Sequence, residues 1–340
     1  MTRATIAPLP PRSIHARKRP AAIVFVFLAE AAWALLVATP VHAWALRAWG
    51  NHPDGDAVLF IPGARDLMVW LGQNDAALAV TVRTAIVLLA VSAVLMQLPL
   101  AALVASLAFG RVMPAASEEP GDASGENATS EASPPAAPQE STPPPAMRSL
   151  RLRGALQIGV SAFLPLAALL VIGSIASLVV LGLGGIAAAA LDSAFTDSLG
   201  DARSFTLRVI VIAIFAAFAA VIGVVVDLAR TAAVRESGLA AIEGTASPAW
   251  NVMLRALRIA LKTSRFHLGA ATLGWTARAV VGVALVAIGY VAADVLGGQG
   301  GLSLALLFAI HQAVALGRVA LRASWMARAV ALVAPVQDTR

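Results

Sequence analysis

The chain has 340 residues, 59% of them hydrophobic and 13% charged, with a mean hydropathy of +0.80. That composition excludes a pair of ordinary soluble domains of the same length and points to a polytopic membrane protein. No cysteine is present, which excludes disulfides, thiolate metal sites and cysteine nucleophiles; the net charge of +6 sits beside apolar runs, where anionic lipid headgroups rather than nucleic acid are the natural counter-charge.

Residues 1–20 are polar and basic, with Arg3, Arg12, Arg17, Lys18 and Arg19. The apolar run that follows, to about Trp44, reads as a first span. A signal peptide shares this layout, and Val41-His42-Ala43 would suit its cleavage site. Glu30 in the middle of the run argues instead for a retained span whose carboxylate has a partner. Residues 45–82 form an outer loop with Trp49 and Trp70 as interfacial anchors, a turn at Pro62-Gly63 and a short interfacial helix after it. The second span covers about 84–110, bent at Pro99. Residues 21–112 thus make a transmembrane hairpin.

Residues 113–147 change character. They are rich in Pro, Ser, Ala, Glu and Gly and contain almost no large apolar side chain. Such a segment cannot bury enough surface to offset its ordering entropy, so a disordered acidic linker is expected.

Residues 148–340 hold four more spans. The third is expected over 158–181, followed by a kinked or broken continuation to Ala190, because Pro165, Gly173, Gly182, Gly184 and Gly185 punctuate it. The fourth covers 205–228 and continues as polar helix to Gly244. An interfacial amphipathic helix over 247–266 comes next, with Ser247 as N-cap and Pro248 at the first turn. Trp250, Met253, Leu254, Leu257 and Leu261 form its apolar stripe, and Arg255, Arg258, Lys262 and Arg265 a basic one suited to lipid headgroups. The fifth span covers 268–294 and, after a GGQGG turn, the sixth covers 302–325. The expected fold class is all-α: a polytopic bundle of about six transmembrane helices, with a cytoplasmic amphipathic helix and a disordered linker.

Arginine and lysine number 19 in the segments on the side of the termini, against 5 in the opposite loops and span ends. By the positive-inside rule both termini and the linker face the cytoplasm. The near-total preference for arginine over lysine, together with the alanine content, suggests a GC-rich bacterial genome, hence a multi-pass protein of the bacterial inner membrane.

Charged and polar groups inside spans are the candidates for function. Glu30 and Arg278 lie at similar depth and are expected to pair. Asp227 and Arg230 stand at i, i+3 near the end of span four, where Asp227 can satisfy Arg230 or Arg318; Arg318 and Arg322 stand at i, i+4 on span six. His311 and Gln312 sit mid-span, suited to interhelical hydrogen bonds. Gly282 and Gly289 share a face that a neighbouring helix can approach. No H-E-x-x-H occurs, neither lysine lies in a span, and Ser161 and His311 sit at different depths, so no catalytic set, cofactor or metal site is legible.

From Asp227 onward, D-L-A-R at 227–230, the arginine-studded stretch 253–265, and Gln312 followed by GRVALR and MARA resemble a loose group of bacterial six-span integral membrane proteins. That group includes the glycerophosphodiesterase membrane-domain type. The resemblance covers about the last third of the chain and implies a six-span layout without implying an activity. The expected role is a non-enzymatic scaffold or regulatory membrane component meeting anionic headgroups or a protein partner. The alternative is a small-solute or ion transporter or channel working through Glu30, Arg278 and His311, which a water-filled, polar-lined cavity at mid-depth would favour.

Overall fold

Long runs of Ala, Leu, Ile and Val leave the backbone to satisfy its own hydrogen bonds, and in a helix it does so within one segment. The computed structural model describes residues 5–9, 14–49, 75–112, 147–150, 152–245, 247–296 and 301–338. Seven α-helices form there: α1 Pro20–Trp49, α2 Asp75–Leu95, α3 Gln97–Ala108, α4 Leu152–Leu199, α5 Asp201–Glu243, α6 Ala249–Leu296 and α7 Leu302–Asp338. With α2 and α3 taken as one crossing, six segments are long and apolar enough to span a bilayer. The protein is a multi-pass, all-α membrane bundle.

The helices outrun the bilayer. At 1.5 Å per residue the 48 residues of α4 and of α6 reach about 72 Å, more than twice a hydrocarbon core of about 30 Å. Each long helix accordingly has two halves with opposite side-chain habits. In one half the apolar residues point inward: Val26, Leu100 to Phe109, Ile158 to Leu169, Val224 to Val234, Met253 to Ala271 and Val319 to Val333 supply the buried core. In the other half they point outward, with Leu35 at 74% exposure, Leu178 at 68% and Val283 at 69%. An apolar interior is what water demands, and an apolar exterior is what hydrocarbon allows. Val160, Leu164, Leu261 and Phe266 are exceptions, exposed within the packed half.

The second span breaks at the join between the halves. Its helix stops at Leu95, turns at Met96 and restarts at Gln97. Pro99 is expected to bend the chain and does so one turn upstream of its own position. Its ring lacks the N–H that would reach the Leu95 carbonyl and crowds that same group. Beyond the break α3 is buried almost throughout, forming the centre of the packed half.

Two expected breaks are absent. The third segment does not fracture after residue 181, because α4 runs unbroken through all its glycines. Two of those glycines are sites of close helix approach: a Cβ on Gly173 would stand 2.8 Å from Val226 Cγ2, and one on Gly184 would stand 2.7 Å from Phe215 Cβ, whereas one on Gly182 or Gly185 would meet nothing within 4 Å. Similarly, the amphipathic stretch 247–266 is no separate interfacial helix. It is the first half of α6, which continues into the fifth span with neither proline nor left-handed glycine to interrupt it. Its buried face is also rotated from the expected stripe. Val252, Met253, Ala256, Ile259, Ala260 and Thr263 are buried, whereas Trp250 and Leu261 are exposed. Small residues such as Ala256 and Ala260 let α6 pack close, which a count of large apolar side chains does not register.

The outer ends of α1 and α2 lie closer together in sequence than expected: α1 reaches Trp49 and α2 begins at Asp75. The Pro62-Gly63 turn and the short helix after it lie outside the described residues. The acidic linker expected to be disordered also lies outside them, apart from Met147. A small three-stranded antiparallel sheet, not expected from sequence, joins β1 Thr5–Pro8, β2 Phe109–Val112 and β3 Met147–Ser149. Val112 pairs with Met147 across the β2–β3 ladder. Pairing of β1 with β2 and burial of Leu9, Ala22 and Val26 in the core tie residues 5–9 and 20–26 to the packed half.

Candidate functional site: a charged crevice at the join

Where the two halves meet, four of the long helices, α1, α5, α6 and α7, contribute charge to one level. A cavity of about 790 Å³ opens there, with Glu30 from α1, Asp227 and Arg230 from α5, Arg278 from α6, and Arg318 and Arg322 from α7 on its walls. Ser174 and Ser177 of α4, with Trp275 and Trp325, complete the polar lining, while Leu170, Val226, Val283 and Val286 supply apolar wall. Gly223 and Gly282 also line it, and a Cβ on either would meet nothing within 4 Å. The Gly282 face therefore opens on space and receives no neighbouring helix. Gly289, seven residues on, does: His311 and Val314 of α7 lie against it.

The charges are unevenly matched. Asp227 is saturated: Oδ1 accepts from Arg230 Nη1 at 2.9 Å and Oδ2 accepts from Trp325 Nε1 at 3.0 Å. The i, i+3 spacing makes the first contact local, and the second ties α5 to α7 across the core. Glu30 does not pair with Arg278 as expected. It faces Arg322, Oε1 to Nη1 at 3.7 Å, both side chains part-exposed. Arg278 donates from Nε to Ser324 Oγ at 3.1 Å and from Nη1 to the Gly274 carbonyl at 2.6 Å. Glu30 and Arg278 share a depth in the sequence, but depth says nothing about which helices are adjacent. The α1 helix packs on α7 and lacks an equally extensive contact with α6, so the α7 arginine is the one within reach.

Two guanidiniums are consequently left without a carboxylate among the described residues. Arg278 holds only neutral acceptors, and Arg318 makes no hydrogen bond or ion pair there. Asp227, offered in sequence to Arg230 or Arg318, is taken by Arg230 and Trp325. His311 and Gln312 are not on the cavity wall; the His311 ring contacts the carbonyl of Leu307 one turn away, Nδ1 to O at 3.0 Å. Ser161 donates to the Ile158 carbonyl. No group of three metal-ligating side chains occurs among the described residues.

Several partners escape a sequence reading. Trp325 and Ser324 carry no charge to mark them, and only their i+3 and i+2 spacing from Arg322 puts them near the crevice. A second polar clasp closes the far end of the α4–α5 pair: Ser204 Oγ donates to Asp192 Oδ1 at 2.7 Å, and Arg208 Nε stands 3.3 Å from the same oxygen. The basic residues Arg255, Arg258, Lys262 and Arg265 are exposed along one side of α6 in the packed half, without a partner among the described residues.

No protein family matches this chain, and neither does any curated protein or solved structure.

Proposed function

We propose that the protein is a non-enzymatic bacterial inner-membrane component that takes an anion into the arginine-lined crevice, in the manner of a carrier for a small anionic solute. The observation that carries this reading is the charge imbalance. Four arginines face two carboxylates across one open cavity, and Arg278 and Arg318 have no acidic partner among the described residues. At the edge of the hydrocarbon, in a cavity with an apolar wall, a guanidinium that has no carboxylate partner is stabilised by a bound anion. Arginine suits the task, since its planar fork stays charged and binds oxyanions in pairs of hydrogen bonds. An open, polar-lined cavity among the spans supports the transporter class over a scaffold, although it stands at the edge of the hydrocarbon and not at mid-depth.

The positive-inside count supports cytoplasmic termini, so the packed half with its core and sheet faces the cytoplasm and the crevice opens at the inner leaflet. The resemblance of the last third to the glycerophosphodiesterase membrane-domain type fits this layout and adds no activity. A scaffold or regulatory role keeps one specific support, the basic stripe Arg255, Arg258, Lys262 and Arg265. On a continuous α6 the stripe begins about 20 Å and ends about 35 Å from Arg278 at 1.5 Å per residue. That is beyond a headgroup layer a few ångströms thick, and an acidic protein partner meets it more readily than lipid does.

Anion-dependent thermal stabilisation of the purified chain tests the carrier reading. A ligand at a hundred times its Kd raises stability by about 2.7 kcal/mol. The gain should vanish in Arg278→Gln with Arg318→Gln and persist in Arg255→Gln with Arg258→Gln. Equal stabilisation of all three proteins would overturn the proposal.

A further inference from the structure

We infer that the anion is the phosphate of a membrane lipid, which enters the crevice sideways from the inner leaflet with its acyl chains in the apolar gap above. This rests on the anion-crevice reading and goes past it in naming the ligand class. Three observations carry it.

The first is depth. Arg318 lies about 24 Å along α7 from Leu302, Arg322 about 30 Å, and Asp227 about 28 Å along α5 from Arg208, at 1.5 Å per residue. A hydrocarbon core is about 30 Å thick. The guanidiniums therefore stand where hydrocarbon ends and lipid phosphates begin, at the change from outward-facing to inward-facing apolar residues. Trp275 and Trp325 lie at the same level, as interfacial tryptophans do.

The second is shape. A free inorganic anion would fill a small part of 790 Å³, and it would leave the apolar wall of Leu170, Val226, Val283 and Val286 facing water. Val283 is 69% and Val286 48% exposed, so that wall is open to the surrounding medium. A cavity of this size with an apolar wall and a few convergent polar groups suits an amphiphile. Gly223 of α5 and Gly282 of α6 line the same cavity, and a Cβ on either would meet nothing within 4 Å, so the wall keeps room for chains beside Val283 and Val286.

The third is charge. Arg278 and Arg318 need an oxyanion with several acceptor oxygens that two forks can share. The phosphodiester of an anionic lipid supplies it without a compensating cation, whereas the choline of a zwitterionic lipid would bring a positive charge to a site already in surplus.

Native mass spectrometry of the full-length protein released from neutral detergent decides the matter. The probes are phosphatidylglycerol, phosphatidylcholine, oleate and inorganic phosphate, each at matched concentration. The inference expects a single phosphatidylglycerol adduct that survives at least tenfold better than the phosphatidylcholine or oleate adduct. That adduct should fall at least tenfold in Arg278→Gln with Arg318→Gln and persist in Arg255→Gln with Arg258→Gln. Gly282→Leu guards against misfolding of the arginine variants. It fills open space without touching a charge, so it should lose the adduct while keeping the thermal midpoint. Retention of inorganic phosphate with no lipid preference would overturn the lipid assignment and leave the anion reading standing. Absence of any anion adduct would overturn both.

Discussion

Replacing Asp227 tests how far this bundle depends on charge inside its core. Its carboxylate receives Arg230 Nη1 at 2.9 Å and Trp325 Nε1 at 3.0 Å, and the side chains of the ion pair are only 12% and 14% exposed. Asp227→Ala removes the carboxylate and leaves a part-buried guanidinium uncompensated, a loss of about 3–5 kcal/mol when one partner of a buried pair is deleted. The orphaned indole N–H is part of that figure, since an unsatisfied buried donor costs about 1–3 kcal/mol. Asp227→Asn keeps one acceptor oxygen, which can serve Trp325 or Arg230 but not both, so it should lose roughly half as much. Arg230→Gln in the Asp227→Ala background should recover stability, because the charge that lacked a partner is gone. The assay is unfolding in mixed dodecyl-maltoside and SDS micelles, followed by circular dichroism. A loss below about 1 kcal/mol for Asp227→Ala, the range of solvent-exposed pairs, would refute the reasoning, as would a double variant less stable than the single one.

Further outcomes follow from the same geometry. Gly184→Ala should destabilise by about 1–3 kcal/mol, because the new methyl meets Phe215 Cβ and cannot be accommodated by a rotamer change; Gly185→Ala, with nothing within 4 Å, should stabilise by up to about 1 kcal/mol through helix propensity. Thermal midpoints of the two variants read the contrast. Double-mutant cycles should give a coupling of about 0.2–1 kcal/mol for Glu30 with Arg322, as for other part-exposed pairs, and a smaller one for Glu30 with Arg278. The absence of cysteine allows single-cysteine mapping: a membrane-impermeant maleimide applied to intact cells should miss a cysteine at Arg255 and label one at Asp294, and the reverse pattern would invert the orientation.

The helical class and the number of crossings were legible because hydrocarbon imposes a length and a composition that few other environments ask for. The end of the polar helix at Gly244 was legible too: the residue adopts φ 70° and its N–H reaches the Ala240 carbonyl, a conformation that glycine takes without strain. What sequence concealed was the partnering. Glycines 173 and 184 read as breaks, since a single chain gives no sign that Val226 and Phe215 will press against them. The buried face of α6 is hidden in the sequence because Trp250 and Leu261 outweigh Ala256 and Ala260 in hydropathy while the alanines decide how near a helix can come. Glu30 and Arg278 were paired by depth, yet lateral order around the bundle chooses Arg322. The strands were hidden because four-residue ladders at Thr5 and Phe109 lack any period long enough to read, and each needs a partner more than a hundred residues away or across the linker.

A single-particle structure of the protein in phosphatidylglycerol nanodiscs is the most direct trial of the charged crevice. A lipid phosphate bridging Arg278 and Arg318 at about 2.7–3.2 Å, with acyl chains along Val283 and Val286, is the expected result. A crevice closed by helix packing, with both guanidiniums neutralised by carboxylates of the chain itself, would contradict the account.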